Sequence, residues 1–283
     1  MKELSLSIVI VTYQSEKEIG ECLATIPRKE EYEVLVIDNG SFDQTPEIVR
    51  VKYPWVRLIR NRTNLGYARA NNQGIKMSRG EYILLLNPDT RLEKDFCETV
   101  IRFMEGNPQV SVLAPKMLNP DGTVQDSIRE FPDYSILLWE ITGLARLFPK
   151  SPIFGRWRMK WFDYSKIQEV PQPMTSALLF RRKVFEEVGL FDESFPIYYN
   201  DVDLLKRIKG KGLKVFYFPS AVVIHKRGAT TRLFWKRMIF EQHKSMYHYF
   251  AKYKKGRIFY PLFLFAAILR LLAFYLVKER GIA

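Results

Sequence analysis

An α/β fold built on a mostly parallel sheet is the class this sequence predicts, and three observations predict it. Strand-like and helix-like segments alternate four times over roughly the first third of the chain, the pattern of βαβ units. Tyr82-Ile83-Leu84-Leu85-Leu86 is an unbroken apolar run that stops at Asn87-Pro88-Asp89. Such a run reads as a strand buried on both faces, and a proline cannot carry the ladder further. Two of the strands end on carboxylates, Asp38 and Asp89. Parallel strands share their carboxyl-terminal edge, where open α/β sheets bind ligands.

Taken in order, Leu6 to Thr12 is a β-branched strand ending in the polar turn Tyr13-Gln14-Ser15. Ser15 with Glu18 three residues on predicts a capping box, opening a helix toward Ile26 that Pro27 closes. Glu33 to Ile37 is a strand leading to Asp38. Asn39-Gly40-Ser41 turns the chain, and Asp43 is placed to cap a helix reaching about Val51. Trp55 to Arg60 is a third strand, Asn61 to Gly66 a polar turn and Tyr67 to Met77 a helix. The fourth strand is the Tyr82 run. A helix follows from about Lys94 to Gly106, then a strand from Val110 to Ala114. Asn119-Pro120-Asp121-Gly122 predicts a turn, and with it a hairpin from Lys116 to Arg129. Residues Asp133 to Tyr164 have weak periodicity but carry Trp139, Trp157 and Trp161 among basic side chains. Thr175 to Phe180 is a buried strand, Arg181-Arg182 leads into a helix, and Asn200 to Lys209 is helical. Val215 to Phe218 and Val222 to Ile224 are strands ending at His225.

Composition narrows the function classes. With 283 residues, 47% hydrophobic and 14% aromatic, the chain buries a sizeable core and is not a disordered protein. Cys22 and Cys97 are the only cysteines, so no disulfide framework or thiolate metal site is expected, which suits a reducing compartment. The amino terminus has no small-residue cleavage site, and no signal peptide is expected. Of the net charge of +13, much is concentrated between Lys226 and Tyr260, where ten Lys or Arg face one Glu. A basic block beside an apolar stretch points to an anionic membrane surface. No zinc spacing or RNA-recognition signature accompanies the charge, so no specific nucleic-acid partner is expected. Neither G-x-G-x-x-G nor a Walker lysine loop occurs. Asp38 and Asp89 taken singly read as turn or cap residues; together at one sheet edge they suggest a metal-assisted nucleotide site.

The motifs add a resemblance. Ser7-Ile8-Val9-Ile10-Val11-Thr12-Tyr13, Val36 to Asp43, Asn64-Leu65-Gly66-Tyr67-Ala68-Arg69-Ala70-Asn71-Asn72, Leu86-Asn87-Pro88-Asp89-Thr90, Phe191 to Phe195, Asn200-Asp201-Val202-Asp203-Leu204 and His225 occur in consistent order. This set resembles the inverting family 2 glycosyltransferases, and within them the rhamnosyltransferase-like branch of bacterial cell-surface polysaccharide synthesis. The resemblance implies a GT-A fold, a nucleotide-sugar donor (dTDP-rhamnose-like or a UDP-sugar) and a divalent cation, Mg²⁺ or Mn²⁺. It implies that Asp38 contacts the base, that Thr12 and Tyr13 border the nucleoside, and that the loop bearing Asn64, Gly66 and Asn71 closes over it. Asp89 is then the metal carboxylate, with Asn87 standing where many relatives have Asp. Asp201 is the implied general base; a helix-start role for it is equally ordinary and compatible. Where relatives have Glu before that Asp, this chain has Asn200. His225 is placed near metal or diphosphate, or is a structural hydrogen-bonding group. Arg227, Arg232 and Asp203 are further candidates for diphosphate or acceptor contacts, with solvated or lipid-facing roles as the alternative for the two arginines. His243 and His248, five apart, are expected to be structural.

Residues 1–231 are expected to form the catalytic domain, with 1–115 binding the nucleotide sugar and 116–231 the acceptor. Residues 232–283 are expected to form a helical, membrane-associating extension. Ile258 to Val277 is apolar except for Arg270, long enough to span a bilayer, to dip into it, or to lie on its surface; packing on the domain or at a dimer interface is the alternative. The expected place of action is the cytoplasmic face of a cell membrane, on a saccharide acceptor that is lipid-linked. The Gln-x-x-Arg-Trp pattern of processive relatives is absent, which favours addition of one sugar. Alternatives are a different donor or a non-lipid acceptor, or a catalytically silent scaffold that keeps the fold.

Overall fold

The computed structural model describes residues 4–226 and 235–254. Its elements run β1 (Leu6–Thr12), α1 (Ile19–Ala24), β2 (Tyr32–Asp38), α2 (Thr45–Lys52), β3 (Arg57–Arg60), α3 (Tyr67–Met77), β4 (Tyr82–Leu86), β5 (Thr90–Leu92), α4 (Phe96–Gly106) and β6 (Val110–Leu118). They continue β7 (Ile128–Arg129), α5 (Tyr134–Ile141), α6 (Leu144–Leu147), β8 (Gln168–Glu169), β9 (Gln172–Pro173), β10 (Ala177–Arg181), α7 (Arg182–Val188), α8 (Asn200–Gly210), β11 (Lys214–His225) and α9 (Trp235–Tyr253).

Among the described residues one large sheet has the order β3-β2-β1-β4-β10-β6-β11-β5, with β8 pairing on β11. The first four strands are parallel, as the alternation predicts. β10 then lies antiparallel to both β4 and β6, and β5 and β8 lie antiparallel to β11, so the second half of the sheet is mixed. The period-2 rule divides the central strands cleanly. Leu6, Ile8, Ile10, Tyr82, Leu84 and Leu86 face one core with α1, α2 and α4. Val9, Val11, Ile83 and Leu85 face the other with α3, α7 and α8. All five residues of β4 are buried, which is why the run could be apolar without alternation.

Three local expectations need correction. The capping box at Ser15 does not form. The Ser15 amide donates to Thr45 Oγ1 at 2.8 Å, its hydroxyl turns back to Tyr13 O, and α1 begins a turn later at Ile19. Tertiary attachment to α2 outcompetes the local cap. The predicted hairpin closes only through Leu118 opposite Val124; Ile128 and Arg129 pair instead with β9. The two strands expected before His225 are one, β11, interrupted by a register shift between Phe218 and Val222. Asp43, by contrast, does bond the Thr45 amide at the start of α2, at 3.0 Å.

α9, expected as the beginning of the extension, is docked on Phe195 and the start of α8. Tyr249 and Phe250 are buried with Phe195 and Val202 of the loop and helix that carry Asp201. Its end is clamped electrostatically: Lys252 Nζ donates to Asp203 Oδ1 at 2.6 Å and to Asp192 Oδ2 at 2.7 Å, and Tyr253 donates to Asp203 at 2.7 Å. Among the described residues no helix is long and apolar enough to cross a membrane. The Ile258–Val277 segment lies outside the described residues.

Candidate active site

The carboxyl ends of β1, β2 and β4 gather the first group of candidates. The parallel register sets Thr12 beside Asp38. Thr12 Oγ1 donates to Asp38 Oδ1 at 3.2 Å and the Ser41 amide donates to Oδ2 at 3.1 Å, while Arg60 pairs with the same oxygen at 3.6 Å. Asp38 is fully buried by these contacts. Tyr13 stands half-buried at the rim. Asn39 organises the following loop: its amide donates to Asn64 Oδ1 and Gly66 O, and its oxygen accepts from Leu65 N and Asn61 Nδ2. Gly66 has φ +87°, and a Cβ there would sit 2.9 Å from Pro196 O. Only glycine allows this approach, through which the Tyr67 amide donates to Pro196 O at 2.6 Å and joins the two halves. Asn71 is buried inside α3 and donates to Tyr67 O, so it supports the helix instead of lining the loop. Asn72 grips the backbone of Phe191 in both directions at 3.0 Å.

The second group lies where β4 turns into β5. Pro88 ends β4, and β5 pairs with the last residues of β11, so that Thr90 is opposite His225. His225 Nε2 therefore approaches Asp89 Oδ1 at 3.4 Å. Sequence reasoning missed what holds the ring. Gln125, buried, donates its amide to His225 O at 2.6 Å and presents Oε1 to His225 Nδ1 at 3.0 Å. With the amide nitrogen committed to a carbonyl, Oε1 accepts, so Nδ1 carries a hydrogen and Nε2 faces Asp89. A carboxylate and an imidazole nitrogen facing one point could together hold a divalent cation, and the imidazole is oriented from behind as metal-binding histidines are. Among the described residues no three or more His, Cys, Asp or Glu gather into a group that could hold a metal ion. Glu18, also missed, stands near Asp89: burial raises its pKa, Lys226 lowers it and Asp89 raises it further.

From this turn a line of hydrogen bonds leads to α8. Tyr67 Oη donates to Asn87 Oδ1 at 3.2 Å, with Thr175 O within 3.4 Å, and Thr175 Oγ1 donates to Asp201 Oδ2 at 3.5 Å. Burial pushes the Tyr67 hydroxyl pKa up; hydrogen bonds with Thr175 and Asn71 pull it down, and the charges of Asp201 and Asp89 push it further up, so it stays a neutral donor. Neither Tyr67 nor Thr175 carried a sequence signal of its own. Asp201 sits in the first turn of α8 after Tyr199, whose φ is 63°. Its Oδ1 accepts the Val202 amide at 2.8 Å. Burial raises its pKa above the ordinary aspartate value, partly offset by hydrogen bonds from Val202 and Thr175. Asn200, in the place of a Glu, donates to Ile197 O at 2.7 Å and to Phe195 O, and so shapes the loop entering the helix.

Other candidates separate from the site. Asp203 is fully buried and committed to Arg207, Lys252 and Tyr253, so the expected diphosphate or acceptor contact is replaced by an anchoring role. A carboxylate two residues from Asp201 on a helix points elsewhere, and here it points at α9. His243 bonds Ile239 O within α9 and His248 packs edge-on against Phe195, both structural as expected. Arg227 and Arg232 lie outside the described residues.

Comparison with known proteins places the family and the fold. The model of "Glycosyl transferase family 2" matches residues 7–189. The N-acetylglucosaminyl-diphospho-decaprenol L-rhamnosyltransferase of Mycobacterium tuberculosis is 31% identical over 265 residues, 89% of this chain and 85% of that one. The low-salt glycan biosynthesis hexosyltransferase Agl10 of Haloferax volcanii is 25% identical, over 74% of this chain and 63% of its own. Among solved structures, S. aureus TarS 1–349 in complex with UDP-GlcNAc superposes with a TM-score of 0.56 at 18% identity, covering 84% of this chain and 66% of that one. GalNAc-T7 with UDP, GalNAc and Mn²⁺ gives 0.58 at 17% identity, over 80% and 44%. Both have the fold described above. The chain belongs to glycosyl transferase family 2 and is a glycosyltransferase of GT-A architecture.

Proposed function

We propose that the enzyme transfers one sugar, with inversion, from a nucleoside-diphosphate sugar to a saccharide carried on a lipid, at the cytoplasmic face of a membrane. The observation that carries the proposal is Asp201: a carboxylate at a helix N-terminus, with a raised pKa, tied through Thr175 and Tyr67 to the turn that bears Asp89. The M. tuberculosis relative, whose name specifies a lipid-diphosphate acceptor and rhamnosyl transfer, supports a lipid-linked acceptor and a rhamnosyl donor here; the donor is read as dTDP-rhamnose-like, with a UDP-sugar as the alternative.

In this reading the acceptor hydroxyl gives its proton to Asp201 as its oxygen bonds to the anomeric carbon and the bond to the diphosphate breaks. A single displacement inverts the centre. The α8 dipole and the Val202 amide stabilise the ionised form that must be present before the hydroxyl arrives. Thr12, Tyr13 and the Asn64–Gly66 loop border the nucleoside. Asp38 fixes the Ser41 turn at the base end; it keeps lone pairs to accept from a base but is fully buried, so it reaches one only if the side chains covering it move. Asp89 and His225 are the residues that would hold Mg²⁺ or Mn²⁺; when bound, the cation supplies charge neutralisation for the departing diphosphate. Asn87, neutral and held by Tyr67, makes the site less negative than a two-acid motif.

A thermal-shift panel of UDP-, dTDP- and GDP-sugars with and without Mn²⁺ should show one donor class stabilising the protein by mass action. Asp201→Asn should keep that shift while losing transfer and donor hydrolysis by roughly 10²- to 10⁴-fold. Retained turnover in Asp201→Asn would remove the base assignment.

A further inference from the structure

We propose that the outer face of α5, α6 and the turn to Ile153 is a docking surface for an anionic phospholipid membrane. Twelve large hydrophobic side chains are exposed among the described residues, and seven of them fall between Tyr134 and Trp161. Ile141 is 75% exposed, Leu147 72% and Ile153 62%, values that a segment packed for water alone does not need. They belong to one surface. Phe154 packs against Trp139 of α5 at 5.1 Å between ring centroids and against Phe148 at 5.6 Å, which holds the α6 end against α5. Leu138 and Ile141, three apart on α5, share its outer side, while Leu137 on the inner side packs with Phe195 and Val202.

Charge selects the partner. Arg146, Lys150 and Lys160 are exposed around the apolar residues, whereas Glu140, the acid of this helical pair, is neutralised by Arg158 at 2.8 Å. Apolar side chains ringed by cations match an interface of anionic headgroups over acyl chains. The course of the chain points the same way. Tyr134 Oη donates to Lys254 O at 3.1 Å, so the last described residue lies at the start of α5. The sequence beyond it carries the apolar stretch Ile258–Val277. That stretch thus begins four residues after a point fixed at the start of α5. The surface also borders the α8 N-terminus through Leu137, and this position rests on the reading above: a lipid-linked acceptor could leave its tail in the bilayer while its sugar reaches Asp201. The surface itself does not depend on that reading.

The full-length chain with Leu147→Cys is labelled with an environment-sensitive thiol fluorophore, since Cys22 and Cys97 are buried. Val51→Cys is the comparison; Val51 is 63% exposed on α2, across the sheet from α8. Vesicles of phosphatidylglycerol and phosphatidylethanolamine should shift the Leu147 probe to the blue and leave the Val51 probe unchanged. Combined Ile141→Glu, Leu147→Glu and Ile153→Glu should weaken vesicle binding at least tenfold with melting temperature unchanged. The proposal is overturned if the chain does not bind these vesicles, if both probes shift alike, or if the Glu variant binds as the parent does. A Leu147 shift that grows with protein concentration without lipid would assign the face to a second copy and overturn it too. Insensitivity of the Leu147 probe in vesicle-bound protein would overturn it as well, since the chain would then bind through another part. Donor hydrolysis, measured in parallel, tests the transferase mechanism separately.

Discussion

Asp201 and His225 are each held by one neighbouring side chain, Thr175 and Gln125 respectively. Burial raises the Asp201 pKa, and Thr175 opposes that rise by donating to the ionised carboxylate. The proposed base must be ionised to act, so on that proposal activity should fall as pH drops through its pKa. Thr175→Val removes a stabiliser of the charged form, which raises that pKa further. The acid limb of kcat/KM against pH should therefore move to higher pH, and a limb that stays put would detach Thr175 from the base. Gln125 acts on the other side of the site. Truncation to Ala frees the ring and removes the acceptor that keeps the Nδ1 tautomer. Mn²⁺ affinity in the presence of the nucleoside diphosphate, read by electron paramagnetic resonance, should fall roughly 10- to 100-fold. Asp89 was legible in the sequence because it follows the strongly patterned β4, and Asp201 because it stands at the start of α8 within a motif that carries the family resemblance. Gln125 was not, because it meets His225 across 100 residues and no local period marks it.

α8 and α9 behave as one unit at the element scale. Asp203 has no exposed surface, and Arg207, Lys252 and Tyr253 together compensate its charge. Lys252→Met leaves a buried carboxylate with two partners in place of three, and should cost about 2 kcal/mol. Loosening of α9 should also raise hydrogen exchange in the first turn of α8. Unchanged exchange there would show that α9 does not brace the base. Asp192 shares the clamp: burial raises its pKa, but hydrogen bonds from Lys252 and Ser194 outweigh this and bring it to about 2, against an ordinary 3.8. Its contribution is then complete above pH 3.8 and is lost as pH falls toward 2, so α9 should loosen in that window. The amphipathic, basic sequence of α9 reads as a membrane helix because the pattern reports only that one face is apolar. What covers that face, here Phe195 and Val202, is a tertiary fact.

The whole molecule is held together where its two halves meet in the sheet. The parallel half was readable from strand–helix alternation, but the direction of β10 was not. A five-residue buried strand has the same pattern whichever way it runs. β10 is the wedge between β4 and β6, and its last residue, Arg181, carries a nearly buried guanidinium. That group donates to Val110 O at 2.8 Å, Tyr82 Oη at 3.2 Å and Asn107 O at 3.2 Å, and also to Met104 O. It thus caps the end of α4 while bonding to residues of β4 and β6, and carbonyl dipoles carry most of its compensation. Arg181→Met keeps the apolar stem but leaves several buried carbonyls without a donor, each costing roughly 1–3 kcal/mol if water cannot replace it. A loss of about 3 kcal/mol in urea unfolding is expected, with a single transition preserved because the sheet is continuous. Arg181→Lys should recover only part of this, since one ammonium cannot reproduce the planar fork. Two resolved transitions in the Met variant would mean that the halves are independent units merely joined by β10, and a loss below about 0.5 kcal/mol would mean that the carbonyls find other partners.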